Sequence, residues 1–301
     1  MTNFQRGRSV GMLSALIISM RPRQWTKNLF IFAGLIFSQN VFAGYLFLKT
    51  CLAFVAFCVL TGSVYLINDI VDIKQDRAHP TKRMRPLASG LLSRKGALVF
   101  AVLLSLISIV FSCLLSLSFA LTALAYFILM VCYSLYLKRV VLLDVLAIST
   151  GFILRVVAGA VLVEVHISSW LLTCTIFLSL FLALGKRRHE RVILESGSAE
   201  HREVLQKYSL TLLDQLIAVA SASTLLSYAL YTMSEATVQK FGSENLKFTI
   251  PFVVYGLFRY LYLIFVKEGG GNPDKDLFAD RPLLIDVILW IVAVGFILYI
   301  Q

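Results

Sequence analysis

Apolar runs recur along almost the whole chain, each closed by a short polar or charged segment. A helix rising 1.5 Å per residue needs about 20 such residues to cross roughly 30 Å of hydrocarbon. Stretches that meet this requirement run over 29–48, 50–69, 96–115, 117–137, 145–163, 168–185, 210–233, 248–266 and 283–300. The pattern predicts an all-α integral membrane protein, a single bundle of about nine transmembrane helices. The junctions between the first two spans and between the third and fourth are tight, so eight is the lower count. No soluble module, low-complexity tract or short-period repeat interrupts residues 1–301, which read as one transmembrane domain.

Ahead of the first span, Arg6, Arg8, Arg21 and Arg23 surround a short apolar run from Val10 to Met20. A signal peptide would end in a small-residue cleavage site, whereas here Pro22-Arg23-Gln24-Trp25 leads straight into the span. Segment 1–24 therefore predicts an amphipathic helix at the cytoplasmic membrane surface. Composition points the same way, with 58% hydrophobic residues, 15% charged and a mean hydropathy of +0.82. Cys51, Cys58, Cys113, Cys132 and Cys174 all fall inside spans with no CxxC spacing, which argues against both disulfides and zinc.

Charge then orients the bundle. With a cytoplasmic N-terminus, the inner segments hold nearly all the Lys and Arg, and the outer ones hold Lys49, Lys240 and Lys247. That asymmetry is a positive-inside signal for a multi-pass protein of the plasma (inner) membrane. It places the long polar loops 70–95, 186–209 and 267–282, and the Lys138-Arg139 turn, in the cytoplasm. The net charge of +11 is met by topology and by an anionic substrate, so no nucleic-acid partner is implied.

Candidate chemistry sits at the end of the second span, in Asn68-Asp69-Ile70-Val71-Asp72-Ile73-Lys74-Gln75-Asp76. On one continuous helix Asp69, Asp72 and Asp76 share a face, with Tyr65 a turn earlier on the same stripe. Hard divalent ions such as Mg²⁺ take one or two carboxylates and fill their other positions with water and phosphate oxygens. The basic run Lys82-Arg83-Met84-Arg85 follows at once and would hold those phosphates. A lone Lys/Arg run after a span is ordinarily a topology signal, but three carboxylates on one stripe beside two basic loops are not. Arg155 lies deep in the fifth span, on the face of Asp144, Gly151 and Gly159, and points either into a substrate cavity or into a pairing within the bundle. Arg259 has Tyr255 and Tyr262 on its face and reads as a cavity contact or a snorkelling side chain. His79, before Pro80, and His189 read as turn and helix-end residues.

Three segments together resemble the UbiA-type membrane prenyltransferase superfamily: Arg21-Pro22-Arg23-Gln24-Trp25-Thr26-Lys27-Asn28, the Asn68 to Asp76 motif, and Tyr133-Ser134-Leu135-Tyr136-Leu137-Lys138. Aromatic-acceptor members of that superfamily carry a second Asp-rich motif after the sixth span. This chain instead has Gly185-Lys186-Arg187-Arg188-His189-Glu190 there, with no Asp between Phe181 and Leu213. With the run from Asp76 to Pro86 and with Gly271-Asn272-Pro273 and Asp280-Arg281, the departure is similar to the decaprenyl-phosphate phosphoribosyltransferase branch. That resemblance implies Mg²⁺-dependent transfer of 5-phosphoribosyl from phosphoribosyl pyrophosphate to a polyprenyl phosphate, for a cell-envelope polysaccharide precursor.

On this expectation Asp69, Asp72 and Asp76 hold Mg²⁺ against the pyrophosphate. Lys82, Arg83 and Arg85 contact the pyrophosphate or the ribose 5-phosphate, and Lys138, Lys186 and Arg187 complete an anion cage. Asn28, Tyr65, Asn68, Arg77, Tyr133, Arg155 and Glu190 complete the candidate substrate-binding set, Asn28 through the resemblance alone. Glu190 serves a metal or a ribose hydroxyl, or pairs with Lys186 at i, i+4. Two rivals stand beside this reading. A prenyltransferase with an aromatic or other soluble acceptor calls for the second acidic motif, and an ion transporter calls for charges near the midplane, where only Arg155 is placed. Gly and Ala faces would allow helix contacts between copies of the chain.

Overall fold

The computed structural model describes residues 11–79, 81–195 and 203–300. Arg6, Arg8 and Pro80, which enter the sequence reading, lie outside the described residues. In chain order the helices are α1 (Met12–Ser19), α2 (Phe32–Phe37), α3 (Gly44–Val71), α4 (Ile73–Ala78), α5 (Arg94–Leu115), α6 (Leu117–Leu135) and α7 (Leu143–Leu162). They continue with α8 (Ser169–Glu195), α9 (Glu203–Gln206), α10 (Leu210–Met233), α11 (Glu235–Phe241), α12 (Ile250–Phe265), α13 (Pro273–Ala279) and α14 (Arg281–Tyr299). Among the described residues eight helices are long and apolar enough to cross a membrane: α3, α5, α6, α7, α8, α10, α12 with the 3-10 turn before it, and α14.

The first expected span, 29–48, is not one helix. In its place stand the end of a 3-10 stretch (Pro22–Ile31), α2 and the start of α3, with Gln39 at φ 60° between the last two, and the 3-10 stretch and α2 pack against α3 and α7. Arg21 has φ 52°, in the left-handed region, and Pro22 follows it, so a regular helix cannot pass through this point. Gly34 and Gly159 then let the backbones touch: a Cβ on Gly159 would lie 1.8 Å from the Ile31 carbonyl oxygen, and one on Gly34 would lie 2.8 Å from the Ala160 nitrogen. Close approach of this kind is how helices associate where the solvent is as apolar as the side chains.

Residues 12–19 also depart from the expected amphipathic helix. Met12, Leu13, Ile17 and Ile18 are exposed together with Ser14, and Ala15, Leu16 and Ser19 are buried, so α1 carries large apolar side chains on its outer face as well. A helix without a polar face is suited to immersion in hydrocarbon rather than to lying at its surface.

Two of the bundle's hydrophobic clusters frame the site. Phe57, Phe119, Tyr126 and Leu162 join α3, α6 and α7, and Phe181, Leu213, Ile217, Tyr260 and Ile264 join α8, α10 and α12. Outward, α5 shows Leu98, Val102, Leu106 and Val110, a lipid-facing stripe. Hydroxyls tie helices across the interior: Ser108 donates to the Ala56 carbonyl at 2.8 Å, and Ser149 and Ser179 lie 2.6 Å apart. The loops after α3, α6, α8 and α12 meet at one end of the bundle. Lys138 reaches Asp72, His189 reaches the Glu268 carbonyl, and Lys27 reaches Asp274.

Candidate active site

The acidic motif lies at a helix junction. Helix α3 ends at Val71, Asp72 (φ −92°, ψ 8°) forms the bend, and α4 begins at Ile73. The expected single helix is therefore interrupted, although the bonds from Asp72 N to Asn68 O (2.9 Å) and from Asp76 N to Asp72 O (2.8 Å) keep a near-helical path. The carboxylates divide accordingly. Asp69 and Asp76, both buried, converge on Arg85, whose Nη1 is 3.2 Å from Asp69 Oδ1 and 2.7 Å from Asp76 Oδ2. Asp72 turns to Lys138, 2.5 Å away, and Lys138 also donates to Asn68 Oδ1 at 3.2 Å.

Arg21, absent from the sequence-derived site, pairs with Asp69 and stacks 4.7 Å over the ring of Tyr65. Its left-handed backbone is the kind of local strain that surrounding contacts must hold in place. Its signal in the sequence is its place just before Pro22, at the mouth of the first apolar segment.

Past α4, His79 Nδ1 accepts from the amides of Thr81 (3.2 Å) and Lys82 (3.3 Å), organising the 3-10 turn Lys82–Met84. That turn holds Lys82 half-buried and Arg83 exposed beside the acidic junction. Arg77 instead braces the loop, its Nε donating to the Ala88 carbonyl at 3.2 Å.

A second charged cluster lies at the cytoplasm-assigned end of α8. Arg187 Nε is 3.0 Å from Asp144 Oδ2, and Nη1 pairs with Glu190; Arg187 is 3% exposed and Asp144 0%. Neither Asp144 Oδ2 nor Arg187 Nε has a well-directed hydrogen bond, so this contact is mainly charge on charge. The Tyr208 hydroxyl donates to Asp144 Oδ1 at 2.7 Å and accepts from the Leu142 amide at 2.7 Å, which fixes Leu142 at φ 67°. Lys186 precedes Arg187, half-buried, and Tyr133 lies within electrostatic reach of Arg187. Arg188 turns away to Asp214 at 2.7 Å.

Inside the bundle, Arg155 is 6% exposed and donates to Asn28 Oδ1 (2.9 Å), the Gly151 carbonyl (2.8 Å) and the Tyr126 hydroxyl (2.8 Å). Asn28, fully buried, sends its amide to Cys58 Sγ and Thr61 Oγ1. Asn28 and Arg155 thus form one interhelical clamp, and Asp144, on the face of Arg155, pairs elsewhere. Arg259 forms a two-pronged pair with Asp280 at 3.0 and 2.8 Å, and the Arg259 side chain holds the Asp280 carboxyl below the usual carboxylate range. All five cysteines are free thiols.

Among the described residues no three Asp, Glu, His or Cys side chains form a ready-made metal cage. The acidic junction nonetheless fits Mg²⁺ in kind, because it offers oxygen ligands only and already accepts one cation, the Arg85 guanidinium, between Asp69 and Asp76.

An oxygen-only stripe at a helix junction, faced by Lys138 from the α6–α7 turn, is the arrangement carried by residues 28–189, which match the model of the UbiA prenyltransferase family. The chain belongs to the UbiA prenyltransferase family. It is 33% identical to a decaprenyl-phosphate phosphoribosyltransferase of Mycolicibacterium smegmatis, over 96% of this chain and 93% of that one. A protein of the same name from Mycobacterium tuberculosis is 29% identical over 94% of each. Among solved structures, a UbiA homolog from Archaeoglobus fulgidus bound to GPP and Mg²⁺ superposes with a TM-score of 0.69 at 17% identity, covering 95% of this chain and 99% of that one. This UbiA-family protein is therefore a multi-pass membrane enzyme with an acidic site at one end of its bundle.

Proposed function

We propose that this protein transfers the 5-phosphoribosyl group of phosphoribosyl pyrophosphate to a polyprenyl phosphate, releasing pyrophosphate, with the site and the N-terminus in the cytoplasm. One observation supports this above the rest: the likeness to proteins named for that reaction runs almost end to end, through the acidic junction and the basic end of α8 alike. The orientation rests on the Lys/Arg asymmetry of the loops.

In the reaction, a phosphate oxygen of the lipid bonds to the anomeric carbon while the bond from that carbon to the pyrophosphate oxygen breaks. The bonding pair leaves with the pyrophosphate. A phosphate monoester is already ionised near neutral pH, so no residue need remove a proton, and catalysis rests on positioning and charge. Asp69, Asp72 and Asp76 would hold Mg²⁺, which supplies charge neutralisation for the departing pyrophosphate.

The residues around them do the rest. Arg21 and Arg85 pair with the buried carboxylates and aim them, and the Lys138 ammonium holds Asp72 while also donating to Asn68. Lys82 and Arg83 present donors from the His79-capped turn to the phosphates, Arg83 with a forked geometry suited to phosphate oxygens. Tyr65 carries Arg21 on its face, and Tyr133 lies within electrostatic reach of Arg187, the neighbour of Lys186.

The deciding assay supplies purified protein in lipid with Mg²⁺, polyprenyl phosphate and ribose-labelled phosphoribosyl pyrophosphate, beside a parallel reaction with a prenyl diphosphate and an aromatic acid. Ribose label in the lipid fraction, lost with chelator, is the expected result. Turnover of the prenyl donor alone would replace this reading with prenyl transfer to a soluble acceptor.

A further inference from the structure

A cavity of about 450 Å³ opens among α2, α7, α8, α10 and α11, at the end of the bundle opposite the acidic junction. Its position follows from α3. Lys49, near the start of α3, donates to the Leu162 carbonyl at the end of α7 at 3.0 Å, and Asp69 stands 20 residues further along α3. At about 1.5 Å per residue the two ends lie roughly 30 Å apart. The cavity wall begins at Val165, just past Leu162, and so belongs to the far end. The transfer reaction makes no use of it.

The lining changes character with depth. Gly34 and Val156 are buried and form an apolar floor, walled by Phe37 and Leu171. His166, Ser169 and Lys240 are exposed and form a polar rim, with Trp170, 41% exposed, beside them. Helix α8 begins at Ser169, and the amides of a helix's first turn have no acceptor within the helix, so the rim carries the positive end of the α8 dipole. Lys240 lies over the ring of Phe241 and has no ion pair among the described residues, and the nearby acids Glu164 and Glu235 do not line the cavity. The rim is therefore positive.

One buried group points to what enters. Tyr231, in the last turn of α10, lines the cavity and is 3% exposed, and its hydroxyl has no hydrogen-bond partner among the described residues. That oxygen is not sealed in protein, as the Tyr260 hydroxyl is, so it meets the cavity. A buried hydroxyl in a native bundle is ordinarily bonded, and here the acceptor must come from the occupant.

A positive rim over an apolar floor complements an amphiphile with an anionic head. We propose that this cavity binds an anionic phospholipid of the leaflet at that end. Its phosphate lies at Lys240 and the first turn of α8, an ester carbonyl accepts from the Tyr231 hydroxyl, and the upper part of one acyl chain covers Phe37 and Leu171. The order of depth fixes these roles, because the ester oxygens of such a lipid lie on the chain side of its phosphate, and Tyr231 is buried where Lys240 is exposed. A free phosphate would satisfy the rim alone and leave the apolar floor unfilled. Trp170 stands at the rim, the level at which tryptophan meets lipid headgroups.

The test uses the full chain in neutral detergent and phosphatidylglycerol brominated on its acyl chains, which quenches tryptophan fluorescence on contact. Brominated phosphatidylcholine, whose ammonium would face Lys240, is the zwitterionic control. Trp170→Phe separates the signal of Trp170 from those of Trp25 and Trp290. Saturable quenching of Trp170 is expected at about one-tenth of the concentration with phosphatidylglycerol that phosphatidylcholine requires. Lys240→Gln, an exposed substitution, should erase most of that preference. Tyr231→Phe should weaken both lipids several-fold and keep the preference, since both carry the ester carbonyl. Equal quenching by the two lipids in the wild type, or an unchanged preference in Lys240→Gln, would overturn the proposal. Glycerol phosphate, which lacks the chains, should leave the quenched state intact at the same concentrations, and displacement of the lipid by it would assign the rim to a soluble anion and refute the lipid.

Discussion

The acidic junction and the end of α8 are charge-reversed versions of one arrangement, and their burial separates them. At the junction, carboxylates on a helix end are answered by cations from elsewhere in the chain, with Arg21 and Arg85 each 26% exposed and Asp72 14%. At α8, a guanidinium on the helix is answered by Asp144 at 0% exposure, with Arg187 itself at 3%. A cation that water still reaches can be exchanged for a substrate or a metal ion at lower cost than a sealed one, and each pair at the junction keeps one partner that water reaches, Arg21, Arg85 or Asp72. A sealed pair cannot be opened without leaving a buried charge alone. The junction is accordingly the place for chemistry, and Arg187 is first of all a brace, whatever share it takes in holding phosphate.

The comparison breaks most visibly in activity at the junction. Asp69→Asn and Asp72→Asn keep side-chain shape and hydrogen bonding while removing a charge, so the bundle should remain folded. Turnover should fall by about 100-fold or more, in the range seen when a positioned charge-stabilising group is removed. Thermal unfolding in detergent, run beside the lipid-product assay, would show lost activity with a near-native melting point. Normal turnover in either variant would remove the carboxylate stripe from the mechanism.

At α8 the largest effect should be on stability. Arg187→Ala strands Asp144 in a site with no water and should cost about 3–5 kcal/mol, lowering the melting temperature or preventing accumulation in the membrane. Replacing both partners with apolar residues of similar volume, as in Asp144→Leu with Arg187→Met, should recover much of that loss. A double variant that is stable but inactive would sharpen the comparison, since it would assign Arg187 a role in the reaction separate from its structural one.

The contrast also explains what was legible in the sequence. Apolar length alone located the spans from α3 onward, and carboxylate spacing located the junction. Local patterns do not carry the chain's return path, and that is where the reading departs from the structure. Arg21 reaches Asp69 only because the first segment bends at Pro22, and a hydropathy window passes over the bend. The expected helix at 29–48 is broken between Phe37 and Gly44, where Gln39 takes φ 60°. Charge counting placed Arg187 in an anion cage, but its partner Asp144 lies 43 residues away and no spacing rule joins them. Fold class depends on periodic signals that every span repeats, whereas the charge state of a site depends on single long-range contacts.

The smallest effect should come from the hydroxyl that supports the sealed pair. Tyr208 bridges the Leu142 amide and Asp144. Burial, reinforced by the bond to Asp144, pushes its phenol above the ordinary tyrosine range. A group whose folded-state pKa is raised contributes fully below the unfolded value and loses that contribution as pH climbs toward the folded one. Wild-type stability should therefore decline as pH rises past about 10, the ordinary tyrosine value. Tyr208→Phe should cost about 1 kcal/mol at neutral pH by removing the bridge, and should flatten that alkaline decline. Melting curves between neutral and alkaline pH for the two proteins would show the traces converging as the phenol ionises. Parallel traces would mean that the Asp144 pair holds without its tyrosine and that the brace at α8 rests on Arg187 alone.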